Sequence, residues 1–248
     1  GSGLVDVLAE MLKAGVVNKM GKIVKREALL ASGKPELANR VVGEGRHKAF
    51  VVVPAEESHN GEPVQLTQRD VRELQLAKGA IRAGIEILIK ELEVSHDQIE
   101  KVYLAGAFGN YIRPESALAI GLIPDLAQAR IVPVGNAAGS GAKMALVSDS
   151  ARKLATELVK ETEYLELSGC SDFQGEFAEA MLGAGIEQQS VARRVATIEE
   201  PLAVSRGEAS ITAMPARTPI SEGSLVATTR ANLPGYHQMR VRRITSTT

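Results

Sequence analysis

Apolar positions set a helical rhythm almost from the first residue. Leu4, Val5, Leu8, Met11, Leu12 and Val16 fall on one side of a helix predicted over 4–15, and Gly15 is a plausible stop for it. Residues 17–48 are polar and mixed, with Gly21, Gly33, Gly43 and Gly45, and read as loop plus a short helix. The β-branched run at 49–54 reads as a strand, His59-Asn60-Gly61-Glu62 as a turn, and 63–66 as the returning strand of a hairpin. Thr67 is a helix N-cap with Asp70 three residues on. Val71, Leu74, Ala77, Lys78, Ile81, Ile85 and Leu88 then share one side of a long helix over 68–91. A short buried strand at 102–105 runs into Gly106. A helix opens with Pro114 and ends near 120, and a strand follows at 130–134. The small residues 135–142 open a helix expected to reach about Val159, and 164–167 is a last strand. The order predicts an α/β layout, a mixed sheet with helices on its faces.

Composition changes that picture beyond residue 181. Residues 1–181 hold 12 Lys and 9 Arg against 25 acidic residues, whereas residues 182–248 hold 8 Arg, no Lys and 5 acidic residues. This second stretch is rich in Ser and Thr, lacks a sustained apolar period, and is interrupted by Pro201, Pro215, Pro219 and Pro234. It reads as a mostly disordered, solvated tail, with a partner-binding arm or an out-of-frame extension as the sharper alternatives. Its Arg240-Val241-Arg242-Arg243 cluster is a short anion contact at most.

The whole chain has 248 residues, a net charge of -1, 44% hydrophobic residues and no Trp, which is an aliphatic globular balance. Near-neutral charge argues against a non-specific nucleic-acid coat. No apolar run is long enough to cross a bilayer, and no basic-then-apolar leader opens the sequence. Cys170 is the one cysteine, so no disulfide closes within the chain, and an iron–sulfur cluster lacks its usual four or so thiolates. A cytoplasmic setting is the expectation. The start at Gly1-Ser2-Gly3, already entering a helix, reads as a segment of a longer protein or a cloning scar.

Four places are candidates for chemistry. The strand at 102–105 ends in Gly106-Ala107-Phe108-Gly109-Asn110. Ligands of open α/β sheets collect beyond strand carboxyl ends, and glycine there lets a flat or charged group reach the backbone. A tight turn that merely needs positive φ is the alternative. Neither a Walker A loop nor a G-x-G-x-x-G fingerprint is present. The run from Gly135 and Asn136 to Ala142 suits close helix packing, or a hinge helix between lobes. Gly1, Ser2 and Gly3 at a helix start suit phosphate. Gln75, Lys78 and Arg82 form a polar stripe on the long helix, either a nucleoside contact or a solvated face. His47, His59, His96 and His237 lack metal-ligand spacing, no nucleophile–base set is visible, and Cys170 reads as inert. Catalytic residues stay unassigned, and no metal ligand is expected.

Five segments in this order resemble the C-terminal ATPase-like domain of the reductive activators of corrinoid proteins. They are Gly1-Ser2-Gly3-Leu4-Val5-Asp6, then residues 66–78, 102–112, 134–142 and 173–181. The resemblance covers residues 1 to about 181 and places the chain in the acetate kinase, sugar kinase, chaperone and actin superfamily. It implies a ribonuclease-H-like lobe of a two-lobed ATPase that binds ATP with Mg2+ in an interlobe cleft. It implies coupling of ATP use to one-electron reduction of cob(II)amide on a partner corrinoid protein, restoring cob(I)amide for methyl transfer. Electrons come, in that family, from an N-terminal [2Fe–2S] domain, which this chain does not carry. By resemblance, Gly106 to Asn110 is the adenosine motif, Gly135 to Ala142 the second interlobe connecting helix, and Gln75 and Lys78 lie on the nucleoside-contacting helix.

The resemblance assigns residues 1–181 to the second lobe and leaves 182–248 as an atypical tail. The first phosphate motif and the Mg-binding acid belong to the other lobe, so weak or absent ATPase activity of this chain alone is expected. Its partners would be that lobe, the ferredoxin domain and a corrinoid protein, with room for a homodimer and none for nucleic acid or membrane. A small-molecule kinase of the same superfamily and a non-enzymatic, ATP-regulated interaction module are the competing functions.

Overall fold

The computed structural model describes residues 3–124, 126, 129–181, 226–232 and 236–242; for 107, 108, 110 and the last two segments it describes backbone only. The chain divides into two compact units, one of residues 1–83, 112–124 and 174–191, the other of 84–111, 125–173 and 192–248.

In the first unit, helix α1 (Gly3–Lys13) buries Val5, Leu8, Ala9 and Met11. This is the stripe expected from its apolar spacing. It packs on α6 (Pro114–Ala119), whose Ser116, Ala117 and Leu118 are buried. Pro114 takes the first turn of α6, where its missing N–H leaves no bond unmade. Arg113 reaches back to Asp6 at 3.7 Å and Glu10 at 3.5 Å.

Where one short helix was expected within 17–48, two form, α2 (Arg26–Ala31) and α3 (Pro35–Asn39), and a strand β1 (Val41–Val42) follows. Pro35 starts α3 one turn after α2 has ended, so the polar stretch breaks into two pieces. Strands β2 (Ala49–Val53) and β3 (Val64–Thr67) form the expected antiparallel hairpin, with an irregularity between Val51 and Val53, and β1 adds to its other side.

Helix α4 (Gln68–Glu91) spans the expected residues. Its start is fixed reciprocally. The Asp70 N–H donates to Thr67 Oγ1 at 3.1 Å, while the Thr67 N–H donates to Asp70 Oδ2 at 2.8 Å. Two otherwise orphaned amides are satisfied this way. Gln68 fastens the helix start to the 21–23 turn, accepting from the Ile23 N–H at 2.9 Å and donating to Gly21 O at 2.7 Å. Helix α9 (Phe173–Met181) lies close on α4 at Gly79, where an added Cβ would stand 2.9 Å from Met181 Cγ and 3.3 Å from Phe177.

In the second unit, β4 (Lys101–Ala105) and β5 (Arg130–Gly135) pair in parallel, and Ile87, Leu88, Ile89, Ile99 and Ile131 are buried. Helix α5 (Gly106–Tyr111) starts directly at the end of β4.

The single helix expected from 135 to 159 is two, α7 (Ala137–Val147) and α8 (Asp149–Lys160). Ser148 breaks it. Its backbone is extended at φ −133°, ψ 122°, and its hydroxyl accepts the Ala151 N–H at 3.2 Å, which caps the second helix.

Strand β6 (Glu163–Glu166) pairs antiparallel with β8 (Tyr236–Arg242), which also pairs with β7 (Val226–Asn232). These two strands lie in the stretch read as mostly disordered; they pair with each other across residues 233–235, and their few large apolar residues leave no sustained apolar signal. Parallel and antiparallel pairing thus both occur, in separate small sheets, within a mixed α/β fold.

Candidate functional site

The parallel pair sets two glycines side by side at its carboxyl edge. Ala105 pairs with Gly135, and Gly106 follows Ala105. Gly106 has φ +90° and Gly135 φ +62°, a region costly for any residue with a Cβ. A Cβ on Gly106 would meet nothing within 4 Å, so its exit from the strand lies bare. Gly109 is glycine for a different reason. Its Cβ would press 3.1 Å from the Leu104 carbonyl carbon, so it lets α5 fold back on its own strand. The expected turn at 106–110 is therefore the first turn of a helix, with Ala107, Phe108 and Asn110 on it.

Asn136 caps α7, its Oδ1 accepting the Gly139 N–H at 2.9 Å. A Cβ on Gly139 would lie 2.6 Å from the Asn136 amide, so the small residue there serves the cap. The close helix packing expected of this run is not made within the described residues. Ala137, Ala138, Ser140, Gly141 and Ala142 are exposed, and α7 buries no residue.

In the first unit, Gln75, Lys78, Gly79 and Arg82 fall on one face of α4, at helical i, i+3, i+4 and i+7 spacing. The solvated-face reading of this stripe is overturned, since Gln75 is 5% and Lys78 2% exposed. The Gln75 Nε2 donates to Met20 O at 3.3 Å and Met181 O at 3.2 Å, tying α9 and the 18–22 turn to α4. Arg82 Nη1 donates to Ile123 O at 3.4 Å. Lys78 Nζ has no hydrogen-bond partner. Burial, and secondarily the Arg82 guanidinium, pushes its pKa down from 10.5 to about 8.

Two further buried polar atoms lack a hydrogen bond, Asp6 Oδ1 and Ser116 Oγ. The sequence reading missed both as site candidates. Asp6 had a signal, lying three residues after Gly-Ser-Gly in the first turn of α1; Ser116 had none. Gly3 opens α1 with open space around it, and Gly1 and Ser2 lie outside the described residues. Among the described residues no cluster of His, Cys, Asp and Glu forms a metal site, and Cys170 is half-buried with its thiol 3.5 Å from Glu166 O. No helix among them is long and apolar enough to cross a membrane. Gly106 and Gly135 are thus brought together on one unit, and Gln75 with Lys78 on the other.

The described residues thus form a mixed α/β fold in which positive-φ glycines stand at the carboxyl edge of a parallel strand pair. Residues 1–192 match the family of the C-terminal domain of RACo, the ASKHA domain, and the chain belongs to that family. The corrinoid activation enzyme RamQ of Eubacterium limosum is 36% identical over 169 residues, which are 68% of this chain and 28% of RamQ. A [Co(II) methylated amine-specific corrinoid protein] reductase of Methanosarcina barkeri is 28% identical over 136 residues, covering 55% of this chain and 19% of the reductase. The solved structure of a reductive activator for corrinoid, iron–sulfur protein superposes with a TM-score of 0.63 at 32% identity, covering 74% of this chain and 28% of that one. The chain therefore spans under a third of the length of each of these relatives.

Proposed function

We propose that this chain is the nucleotide-binding lobe of an ATP-dependent reductive activator, one that returns cob(II)amide corrinoid proteins to cob(I)amide for methyl transfer. The lobe is assigned to residues 1–181, with 182–248 an appended segment. The observation that carries the reading is the bare backbone at Gly106, at the carboxyl edge of the parallel pair, lying in the stretch 1–192 that matches the RACo domain.

The residues fit a nucleotide. At Gly106 the backbone offers a surface free of side chain, on which a flat base can rest. Asn136 fixes the start of α7 beside Gly135. When bound, ATP with Mg2+ supplies the free energy that favours one conformation of the complex over another. A typical allosteric coupling is about 1–3 kcal/mol, so several such contacts must act together to drive an uphill reduction. The reduction itself adds one electron to cob(II)amide and yields cob(I)amide. One thiolate in the chain does not fit a [2Fe–2S] cluster, so the electron is assigned to a separate [2Fe–2S] domain.

Calorimetric titration of the chain with ATP and Mg2+, then with a corrinoid protein held as cob(II)amide, tests the reading. Saturable ATP binding, and a change in corrinoid-protein affinity when ATP is present, is the expected result. Absence of both refutes it.

A further inference from the structure

The turn at 18–22 is braced by side chains from elsewhere in the first unit. An antiparallel bridge joins Val17 to Ile23 at its base, and the Val24 N–H donates to Val16 O at 2.8 Å. Within the turn, Asn18 Oδ1 accepts the Met20 N–H at 3.0 Å and the Lys22 N–H at 2.9 Å. The Gly21 N–H donates to Asn18 O at 2.8 Å, and the Asn18 N–H to Lys22 O at 2.9 Å. From α4, Gln75 donates to Met20 O, and Gln68 bonds both Gly21 O and the Ile23 N–H. Lys48 Nζ donates to Ile23 O at 3.0 Å. Each backbone N–H and each carbonyl from Met20 to Ile23 therefore has a partner.

These bonds fix the backbone and leave side chains in solvent. Lys19 and Lys22 are exposed, and between them Met20 is 61% exposed. Between Glu10 and Glu27 the chain carries Lys13, Lys19, Lys22, Lys25 and Arg26 and no acidic residue. Lys13 pairs with Glu10, and Arg26 bonds Asn39. Lys19, Lys22 and Lys25 make no ion pair among the described residues. The patch stands out from the rest of 1–181, where 25 acidic residues outnumber 12 Lys and 9 Arg.

A rigid tip that shows one large apolar side chain between cations has the anatomy of a protein-docking knob. In such contacts an apolar anchor carries the affinity, and the charged rim sets encounter rate and choice of partner. A turn already ordered avoids the cost of being fixed on binding. Unpaired lysines serve a partner that arrives by diffusion, because their field speeds encounter. The acidic excess of the lobe works against a nucleic acid or an anionic membrane, which would meet that charge together with the patch. A protein needs only a local acidic rim.

We infer that the 18–22 turn docks the corrinoid protein, seating Met20 in an apolar pocket rimmed by Asp and Glu. This rests on the proposed function, which gives the chain that partner, and adds the surface that recognises it.

The test is the binding kinetics of the full 248-residue chain with a corrinoid protein held as cob(II)amide, in ATP and Mg2+, at low and at high salt. Met20→Ala should weaken the complex about thirtyfold, mainly through faster dissociation. Lys19→Glu combined with Lys22→Glu should slow association about tenfold at low salt and flatten its salt dependence. Both variants should keep the urea midpoint of the parent chain, because the altered side chains are exposed and the bonds of the turn are untouched. Parent-like affinity in Met20→Ala, or parent-like association in the lysine variant, overturns the inference and leaves the proposed function standing. A single-stranded oligonucleotide or phosphatidylserine vesicles bound with the same lysine dependence overturns it as well. No binding of the corrinoid protein by the parent chain, with or without ATP, overturns both.

Discussion

Replacing Lys78 by Met should make the ligand-free protein more stable at neutral pH. Met keeps the length and most of the apolar stem of the lysine, and removes the ammonium that meets no acceptor. A drop in pKa from 10.5 to about 8 corresponds to about 3 kcal/mol of penalty on the folded, charged state. The sign follows from proton counts. Below pH 8 both folded and unfolded chains are protonated at this site, and the folded chain bears the full penalty. Between pH 8 and 10.5 the unfolded chain holds the extra proton, so the folded wild type gains from rising pH. The advantage of Lys78→Met should therefore be about 3 kcal/mol at pH 7, about 2 at pH 9 and about 1 at pH 10. Urea unfolding of both proteins, followed by helical circular dichroism, measures this difference directly. The other lysines titrate alike in both proteins and cancel. A stability difference that does not change between pH 7 and pH 10, or a Met variant less stable at pH 7, refutes the reasoning.

Other substitutions probe the remaining features. Gly21→Ala should cost clearly more than Gly33→Ala in urea unfolding. Both glycines have positive φ, about 1 kcal/mol each to an L-residue, but only at Gly21 would the methyl run into the Gln75 amide. Gly79→Leu should push α9 off α4, since even a Cβ comes within 2.9 Å of Met181 Cγ; faster proteolysis within 173–181 reports it, and unchanged cleavage refutes the packing. Thr67→Ala and Asp70→Ala should each cost about 1 kcal/mol, and the double variant less than the sum, because the two residues satisfy each other's amides. Gly106→Val should abolish ATP binding in a chain that keeps its circular dichroism, and unchanged affinity would remove Gly106 from the site.

What could be read from the sequence was local. Helix α4 has the expected bounds because its apolar period runs unbroken and the Thr67–Asp70 pair marks its start chemically. The β2–β3 hairpin announces itself by a β-branched run followed by turn residues, and the β4 strand by a short apolar run that ends in glycine. The helix break at Ser148 was also written locally, as a hydroxyl followed by Asp149, but the apolar residues on either side keep helical spacing and hide it. Strands β7 and β8 were not legible, because the hairpin they make across residues 233–235 carries few large apolar residues (Val226, Tyr236, Met239 and Val241) and so no sustained alternation; β8 also pairs with β6, some seventy residues earlier in the chain. Pairing across that distance is decided by long-range contact and not by local pattern.

The site was half legible for the same reason. A glycine after a strand carries its own explanation, since positive φ and a bare backbone are properties of that one residue, although the strand before it, expected to be buried, is half-buried with Ala105 exposed. The fate of a charged side chain on a helix is not. Gln75, Lys78 and Arg82 look alike as a polar stripe, and nothing in their spacing tells which will be covered. Gln75 satisfies itself on two carbonyls brought from positions 20 and 181, and Arg82 on one from position 123. Lys78, between them on the helix, is enclosed by the same chain and given no acceptor. Two neighbours satisfied by distant backbone show that the fold is able to supply acceptors on this face. An unmatched ammonium in their midst is thus a cost that the fold carries at this one position among the described residues of the face.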